Sequence, residues 1–298
     1  MTTVLAVGSA VVDFIFQLDE APSRSEKHRA RDAAIVGGGC AANAAVAVAR
    51  LGGKAMLAAR LGDDVIGDMI ISDLEKEGVD SNLVKRFEER RSSYSSVIVD
   101  PDGERSIVNF RDMDIDFGGG WLELQELPAF DAALADTRWP DGARVAMRAA
   151  LKRGVPGVID GEAPVREAQA ALMDATHIAF SRPGLLDFND INDVEAALRQ
   201  AAEETGAWVC VTEGGDGVRW LDNGTMRHMP AFEVKVVDTL GAGDVWHGAF
   251  ALALARGDSE SEAIRFASAA SALKCRQFGG RSGAPTDSDV TTFLMENG

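Results

Sequence analysis

The chain has 298 residues, 46% of them apolar, and a formal net charge of −17. That length suits one large α/β domain, or one domain with a modest appendage, and the apolar share is enough for a true core. The charge repels nucleic acid and anionic membranes, so an anionic substrate would need its own local cluster of Lys or Arg.

The N-terminus, MTTVLAVGSAVVDF, has no basic n-region, and Gly8, Ser9 and Asp13 break its apolar run. It predicts a first strand over 3–8, not a signal peptide. Residues 11–18 and 28–36 predict two further strands close together, and a glycine turn at 37–39 feeds a helix of small residues that Gly52 and Gly53 stop. Further on, the pattern predicts strands at 55–59, 130–135, 155–159, 176–180 and 207–212. Amphipathic helices are predicted at 64–77, 141–153, 163–173 and 192–205. Near-continuous apolar strands alternating with helices predict a parallel, doubly wound sheet whose ligands sit beyond the carboxyl ends of its strands.

Two pieces break that rhythm. Residues 93–111, SYSSVIVDPDGERSIVNFR, read as two extended runs around a D-P-D-G turn. With the strands at 11–36 they predict a small antiparallel sheet, either a lid over the strand ends or a surface hairpin without a role. No apolar run approaches the roughly 20 residues that span a bilayer. Cys40, Cys210 and Cys275 are scattered, with no CxxC pair, which argues against a disulfide framework or a zinc site and for the reducing cytosol.

The stretch VVDTLGAGDVWHGAF, residues 236–250, carries the chemistry. A helix is predicted over 244–256, with Gly257 as its stop, so Gly241, Ala242 and Gly243 form the turn that feeds it. Their amides have no intrahelical partner and no bulky side chain shields them, which makes an anion hole. Asp244 then has two readings. It caps the helix, or it takes a proton from an attacking hydroxyl beside the hole. A cap needs no glycine pair, so the base reading is favoured.

Two more glycine turns stand at strand ends. Gly38 and Gly39 precede a helix on which Asn43 is the one amide, either a satisfied buried Asn or a reader of substrate hydroxyls. The same turn, Gly37-x-Gly39-x-x-Ala42 with Asp63 about 20 residues on, also fits a dinucleotide fingerprint and hence an oxidoreductase. Thr212, Gly214, Gly215 and Gly217 suit a polyphosphate at the end of a strand, or a plain hairpin into 218–221. No P-loop motif occurs.

Taken together, DTLGAGDVWHGAF and GGGCAANAAVAVARLG resemble the two signatures of the ribokinase-like PfkB carbohydrate kinases, and the order of elements agrees from about residue 4 to 285. The resemblance implies an ATP-dependent sugar kinase: one ribokinase-like α/β domain with lid strands inserted at about 11–36 and 91–112, dimerising through the lid. It implies Asp244 as base and the amides of 241–243 as the hole for the phosphoryl group. Asp13 and Asn43 would bind sugar hydroxyls, and Gly38 and Gly39 would line the sugar site. Thr212, Gly214 and Gly217 would line the nucleotide site, and Mg²⁺ would travel with ATP. Leu240 stands where many members have threonine, beside a monovalent-cation site. The family's N-x-x-E motif should fall near 181–184, where this chain reads SRPG. A non-catalytic sugar sensor would lack a base, which the intact Asp244 argues against.

For the sugar, the stretches LADTRWPDGA, DPDGERSIVNF and ALKCRQFGGRSGAP are similar to the 6-deoxy-6-sulfofructose kinases. Lys27, Asn109 and Arg138 fall where that subgroup grips its sulfonate. The expected substrate is 6-deoxy-6-sulfofructose, phosphorylated on its 1-hydroxyl. A phosphosugar such as fructose 6-phosphate, or a neutral sugar, is the alternative.

Overall fold

Every residue of the strands Ala132–Asp136 and Gly157–Gly161 is buried. Such strands need cover on both faces, and helices supply it. The computed structural model describes residues 1–20, 26–101, 105–115, 118–122 and 127–297. In chain order the strands are β1 (Thr3–Gly8), β2 (Val11–Gln17), β3 (Asp32–Gly38), β4 (Lys54–Gly62), β5 (Asp80–Phe87), β6 (Tyr94–Val99), β7 (Arg105–Phe110), β8 (Ala132–Asp136), β9 (Gly157–Gly161), β10 (His177–Ser181), β11 (Trp208–Thr212), β12 (Val218–Asp222) and β13 (Thr225–Met229). The helices are α1 (Cys40–Arg50), α2 (Val65–Lys76), α3 (Pro140–Arg153), α4 (Gln169–Leu172), α5 (Arg182–Asn189), α6 (Val194–Thr205), α7 (Ala242–Arg256), α8 (Glu260–Cys275) and α9 (Asp287–Glu296).

Nine strands form the main sheet, in the order β13-β12-β11-β10-β9-β8-β1-β4-β5. Its pairings are parallel from β5 across to β11, and antiparallel only at β11–β12 and β12–β13. Strand order reverses at β1, which pairs with β4 on one side and with β8 on the other. The crevice beyond the carboxyl ends of β1 and β8 is therefore the expected ligand position.

The second sheet has the order β3-β2-β6-β7. The expectation of an antiparallel lid is corrected in one respect: β2 and β6 pair in parallel, while β2–β3 and β6–β7 are antiparallel. Both β2 and β6 follow strands of the parallel main sheet, β1 and β5, so they enter the lid in the same sense. The tip of the β6–β7 hairpin, including the Gly103 of its D-P-D-G turn, lies outside the described residues.

Several boundaries differ from the sequence reading. The glycine turn at 37–39 is shorter than expected, because Gly37 and Gly38 still belong to β3. The helix expected at 163–173 is a 3₁₀ turn at Arg166–Ala168 followed by the single turn α4. The small residues of α1 do allow close packing, and on a helix as well as on the sheet. A Cβ on Gly248 of α7 would stand 2.4 Å from the Ala44 carbonyl oxygen, so these two helices touch backbone to backbone. That contact brings the N-terminal turns of α1 and α7 side by side at the crevice.

Candidate active site

Gly241 is the N-cap of α7, in the left-handed region at φ 76°, and no side chain caps this helix. Asp244 lies inside the first turn and does not cap it. Its Oδ2 accepts a hydrogen bond of 2.6 Å from Asn43 Nδ2 on α1. Burial pushes the Asp244 carboxyl up to about 6, against the lowering effect of that bond and of His247. It is nevertheless half-buried by exposed area and so reachable from the cleft. The Ala242 amide turns back onto the Thr239 carbonyl at 3.2 Å. The donors left at the helix mouth are therefore those of Gly243 and Asp244, with Gly241 beside them. A Cβ on Gly243 would meet nothing within 4 Å, so the turn opens onto free space.

A second carboxylate, Asp136 at the end of β8, is buried and holds the crevice together. Its Oδ2 accepts from the Ser9 amide at 2.8 Å, the Ser9 hydroxyl at 2.7 Å and the Ala41 amide at 3.1 Å. Its Oδ1 accepts from the Arg138 amide at 2.9 Å. The chain after β1, the start of α1 and the turn after β8 are thus fixed to one side chain. Gly39, at φ 91°, lets the chain pass where a Cβ would stand 2.6 Å from the Ser9 carbonyl oxygen. A Cβ on Gly38 would strike the Asp13 carboxylate at 2.2 Å. Burial raises the carboxyl of Asp13 above its ordinary range, despite the Ser95 hydroxyl and the Arg281 charge.

Beneath Asp244 lies a group that the sequence reading passed over. His247, one helical turn on, is 3% exposed. Its Nδ1 faces the Gly243 carbonyl oxygen at 2.7 Å and its Nε2 faces the Ala179 carbonyl oxygen at 3.1 Å, with Asp160 Oδ1 at 3.5 Å. Both ring nitrogens meet acceptors, an arrangement that favours the doubly protonated, cationic ring. Burial lowers its pKa, but Asp160 and the two carbonyls outweigh that and leave it raised. Burial also pushes the Asp160 carboxyl up to about 7, with His247 opposing. The only sequence signal for this group was its position, one turn beyond the base.

Arg138, at the end of β8, donates to Ala163 O at 2.7 Å and to Glu162 Oε2 at 3.0 Å. Asn109 on β7 donates to Ser95 Oγ at 3.1 Å. The structure brings these two together in one cleft between lid and main sheet. Gly8, Ser9 and Ser93 also line it, and so do Arg60 and Arg111, which sequence reasoning missed. Arg60 sits two residues before the end of β4 and Arg138 two residues past the end of β8, and this placement near the carboxyl ends could have flagged Arg60. Lys27 is not brought into this cleft; it lies exposed in the segment before β3.

At the other end, Thr212 closes β11 and its hydroxyl donates to Phe180 O at 3.4 Å. Gly214, at φ 57°, and Gly215 face open space, whereas a Cβ on Gly217 would stand 2.1 Å from the Met229 carbonyl oxygen. The turn is thus both a hairpin into β12 and a bare surface at a strand end. At 181–184, Ser181 caps α5 by accepting from the Gly184 amide at 3.0 Å, and Arg182 faces Glu213 at 3.9 Å. These four residues supply no carboxylate for a metal. Cys40, Asp160 and Asp244 bring one donor atom each within 4.8 Å of one another. Burial and the surrounding carboxylates push the Cys40 thiol well up, so it stays protonated, and a thiol does not fit Mg²⁺, which takes oxygen ligands.

The family model described as pfkB family carbohydrate kinase matches residues 1–287. The chain is 29% identical to the ribokinase of Bacillus subtilis, over 99% of this chain and all of that one. It is 32% identical to the ATP-dependent ribose-1-phosphate kinase of Halopiger xanaduensis, over 99% of each. A crystal structure of a candidate ribokinase from Agrobacterium tumefaciens superposes with a TM-score of 0.94 at 36% identity, over 99% of this chain and 98% of that one. The glycine turn at 37–39 follows a lid strand, not the leading strand of a βαβ unit, and these likenesses favour phosphoryl transfer over the dinucleotide reading. Among the described residues no helix is long and apolar enough to cross a membrane. The chain belongs to the pfkB family of carbohydrate kinases, and it is an ATP-dependent sugar kinase with the ribokinase fold.

Proposed function

We propose that this kinase phosphorylates the 1-hydroxyl of an anionic ketose, 6-deoxy-6-sulfofructose. The observation that carries the anion is the gathering of Arg60, Arg111 and Arg138 with Asn109 in one cleft of a chain whose net charge is −17. Asp112 lines the same cleft and Glu162 pairs with Arg138, so the three arginines outnumber the carboxylates, and guanidinium groups suit a sulfonate or phosphate end by paired N–H donors. Asp244 lies at the other end of the crevice. The path between runs along Cys40, whose Sγ is 3.6 Å from Glu162, and Glu162 in turn holds Arg138. A sugar lying along this path puts its anion on the arginines and its far hydroxyl at Asp244.

In the transfer, the carboxylate of Asp244 takes the proton of the sugar hydroxyl. The freed oxygen bonds to the γ-phosphorus of ATP, the bond from that phosphorus to its bridging oxygen breaks, and ADP departs with the electron pair. The amides at the mouth of α7 face the charge that builds on the phosphoryl oxygens. With a carboxyl held near 6, Asp244 is mostly ionised at neutral pH and still basic enough to receive the proton. In this reading Asp13 and Asn43 take sugar hydroxyls, and Thr212, Gly214 and Gly217 take the nucleotide. Mg²⁺ would supply charge neutralisation on the phosphates, and residues 181–184 would offer it no carboxylate.

A phosphosugar is the second reading, because the Halopiger relative is named a ribose-1-phosphate kinase and the same arginines would suit a phosphate. ATP consumption with Mg²⁺ over 6-deoxy-6-sulfofructose, fructose 6-phosphate, ribose 1-phosphate, fructose and ribose decides. Turnover confined to the sulfosugar supports the proposal. Preference for ribose or fructose keeps Asp244 as base and removes the anion cleft.

The whole chain works in this reading as one domain that pairs with a second copy through its lid. Ile35, Phe14, Ser96 and Val108 share one cross-strand row of the lid. Ile35 is 61% and Val108 68% exposed, an apolar face that a second lid would cover. Mass measurement in solution tests this: Val108→Asp should convert a dimer to a monomer, and a monomeric wild-type protein would refute it.

A further inference from the structure

We propose that the ε-ammonium of Lys274 is a built-in cation for the phosphoryl-binding turn, so that this kinase needs no alkali-metal ion. The inference rests on the chain being a kinase of this family and not on which sugar it takes.

Lys274, on the last turn of α8, is 0% exposed. Its Nζ donates to the Asp238 main-chain carbonyl at 2.8 Å and stands 3.3 Å from Asp238 Oδ2. Amides also donate to that carboxylate: Leu240 N at 2.9 Å to Oδ1, and Gly279 N at 3.1 Å and Gly280 N at 3.2 Å to Oδ2. Asp238 opens the turn that ends in Gly241, and Gly279 and Gly280 open the loop beside it. A Cβ on Gly241 would stand 3.6 Å from the Arg281 amide, so the two loops lie against each other at the mouth of α7. One carboxylate and one ammonium therefore set the position of the phosphoryl-binding amides.

An alkali-metal ion bound here would need oxygen ligands left vacant by protein donors. On Asp238, the lysine already takes the main-chain carbonyl and shares Oδ2 with two amides, and Oδ1 accepts from Leu240 N. The neighbouring position holds Leu240, which has no oxygen to offer and whose Cδ2 would lie 3.6 Å from a Cβ on Gly280. A buried ammonium and an apolar side chain are both unfavourable neighbours for a second cation. The residues present do not fit a monovalent metal, and the lysine takes its electrostatic place.

The test uses the full chain without sugar. Thermal unfolding and the affinity for a non-hydrolysable ATP analogue with Mg²⁺ are measured in potassium, sodium and tetramethylammonium chlorides at equal ionic strength. The wild type should unfold within about 1 °C and bind within about twofold in all three, since a ligand with no site gives no linkage. A shift of several degrees, or tighter nucleotide binding, in potassium over tetramethylammonium would overturn the proposal. Lys274→Ala should bind the nucleotide more weakly and regain part of that affinity in potassium or methylammonium salts but not in tetramethylammonium. A folded Lys274→Ala protein with wild-type affinity in every salt would also overturn it. If that variant does not fold, the wild-type comparison decides alone.

Discussion

Replacing Asn43 with leucine should make the enzyme fail at neutral pH and recover in alkali. Asn43 Nδ2 donates to Asp244 Oδ2 at 2.6 Å, and that bond favours the ionised carboxylate. A hydrogen bond to a charged group contributes roughly 1.5–3 kcal/mol, and about 1.4 kcal/mol corresponds to one pKa unit. Without it the Asp244 carboxyl, now near 6, moves to about 7–8. At pH 7 the ionised fraction drops from about nine tenths to between a half and a tenth, so kcat/KM falls roughly two- to tenfold by this route. At about pH 9 most of that loss disappears. Leucine is near in size and sits in an almost fully buried position, so the fold should survive, with Arg281 still paired to Asp73. The assay is ATP-coupled kcat/KM over a pH series. If the acid limb stays near 6 and the loss is equal at every pH, Asn43 acts on the sugar alone, and the electrostatic reasoning fails.

Asp244→Asn should abolish turnover yet stabilise the protein in alkali. The folded carboxyl is raised from 3.8 to about 6, so its contribution to stability is present below 3.8 and lost as pH rises through 6. Discounted for its half-exposed position, that loss is about 1–2 kcal/mol. The variant's Tm should exceed the wild type's at about pH 8 and not at about pH 4, and scanning calorimetry at the two values checks it. Gly243→Val should fold normally, because nothing lies within 4 Å of the added Cβ, yet lower kcat by about 100-fold by filling the phosphoryl space; an unchanged kcat would remove Gly243 from the hole. Arg138→Ala should raise KM for an anionic sugar tenfold or more, about 1.4 kcal/mol, while KM for ATP stays within about twofold; equal small changes in both refute the anion site. His247→Gln removes the cation that favours the ionised Asp244, so the acid limb of kcat/KM should move to higher pH, and an unmoved limb would show that the ring is neutral.

Much of this molecule was legible because local pattern and global fold agree. The strands β1, β8, β9, β10 and β11 are runs of buried residues that leave no other reading. Gly241, Gly243 and Asp244 announce a bare helix start next to a carboxylate. The edges were harder. Strand β5, DSNLVKRF, carries no fully buried residue and has no apolar run to betray it. The lid was read as antiparallel because both of its pairs of consecutive strands are, but the β2–β6 pairing joins segments separated by the whole of β4 and β5, and no local pattern encodes it. Lys274 and His247 were missed for a related reason. A lysine near a helix end and a histidine on an apolar helix look ordinary, and only the fold shows what faces their nitrogens.

Those missed cations answer a problem set by the composition. A chain of net charge −17 must bind ATP and, in the proposed reading, a second anion. It also sets Asp136 and Glu162 close enough to help burial raise the carboxyls of Asp160 and Asp244. Burial and that cluster push Asp244 toward its protonated form, and His247 opposes them. The positive charges sit at the ends of the path or behind it, not between base and phosphoryl group. Arg138 and its neighbours stand at the far end of the cleft, His247 lies under the first turn of α7, and Lys274 lies under the loop before it. A cation behind the backbone orients carbonyls and amides without competing for the sugar hydroxyl or the γ-phosphate. Replacing either buried cation should therefore change the pH and salt dependence of the reaction more than the affinity for sugar, whereas replacing Arg138 should do the reverse.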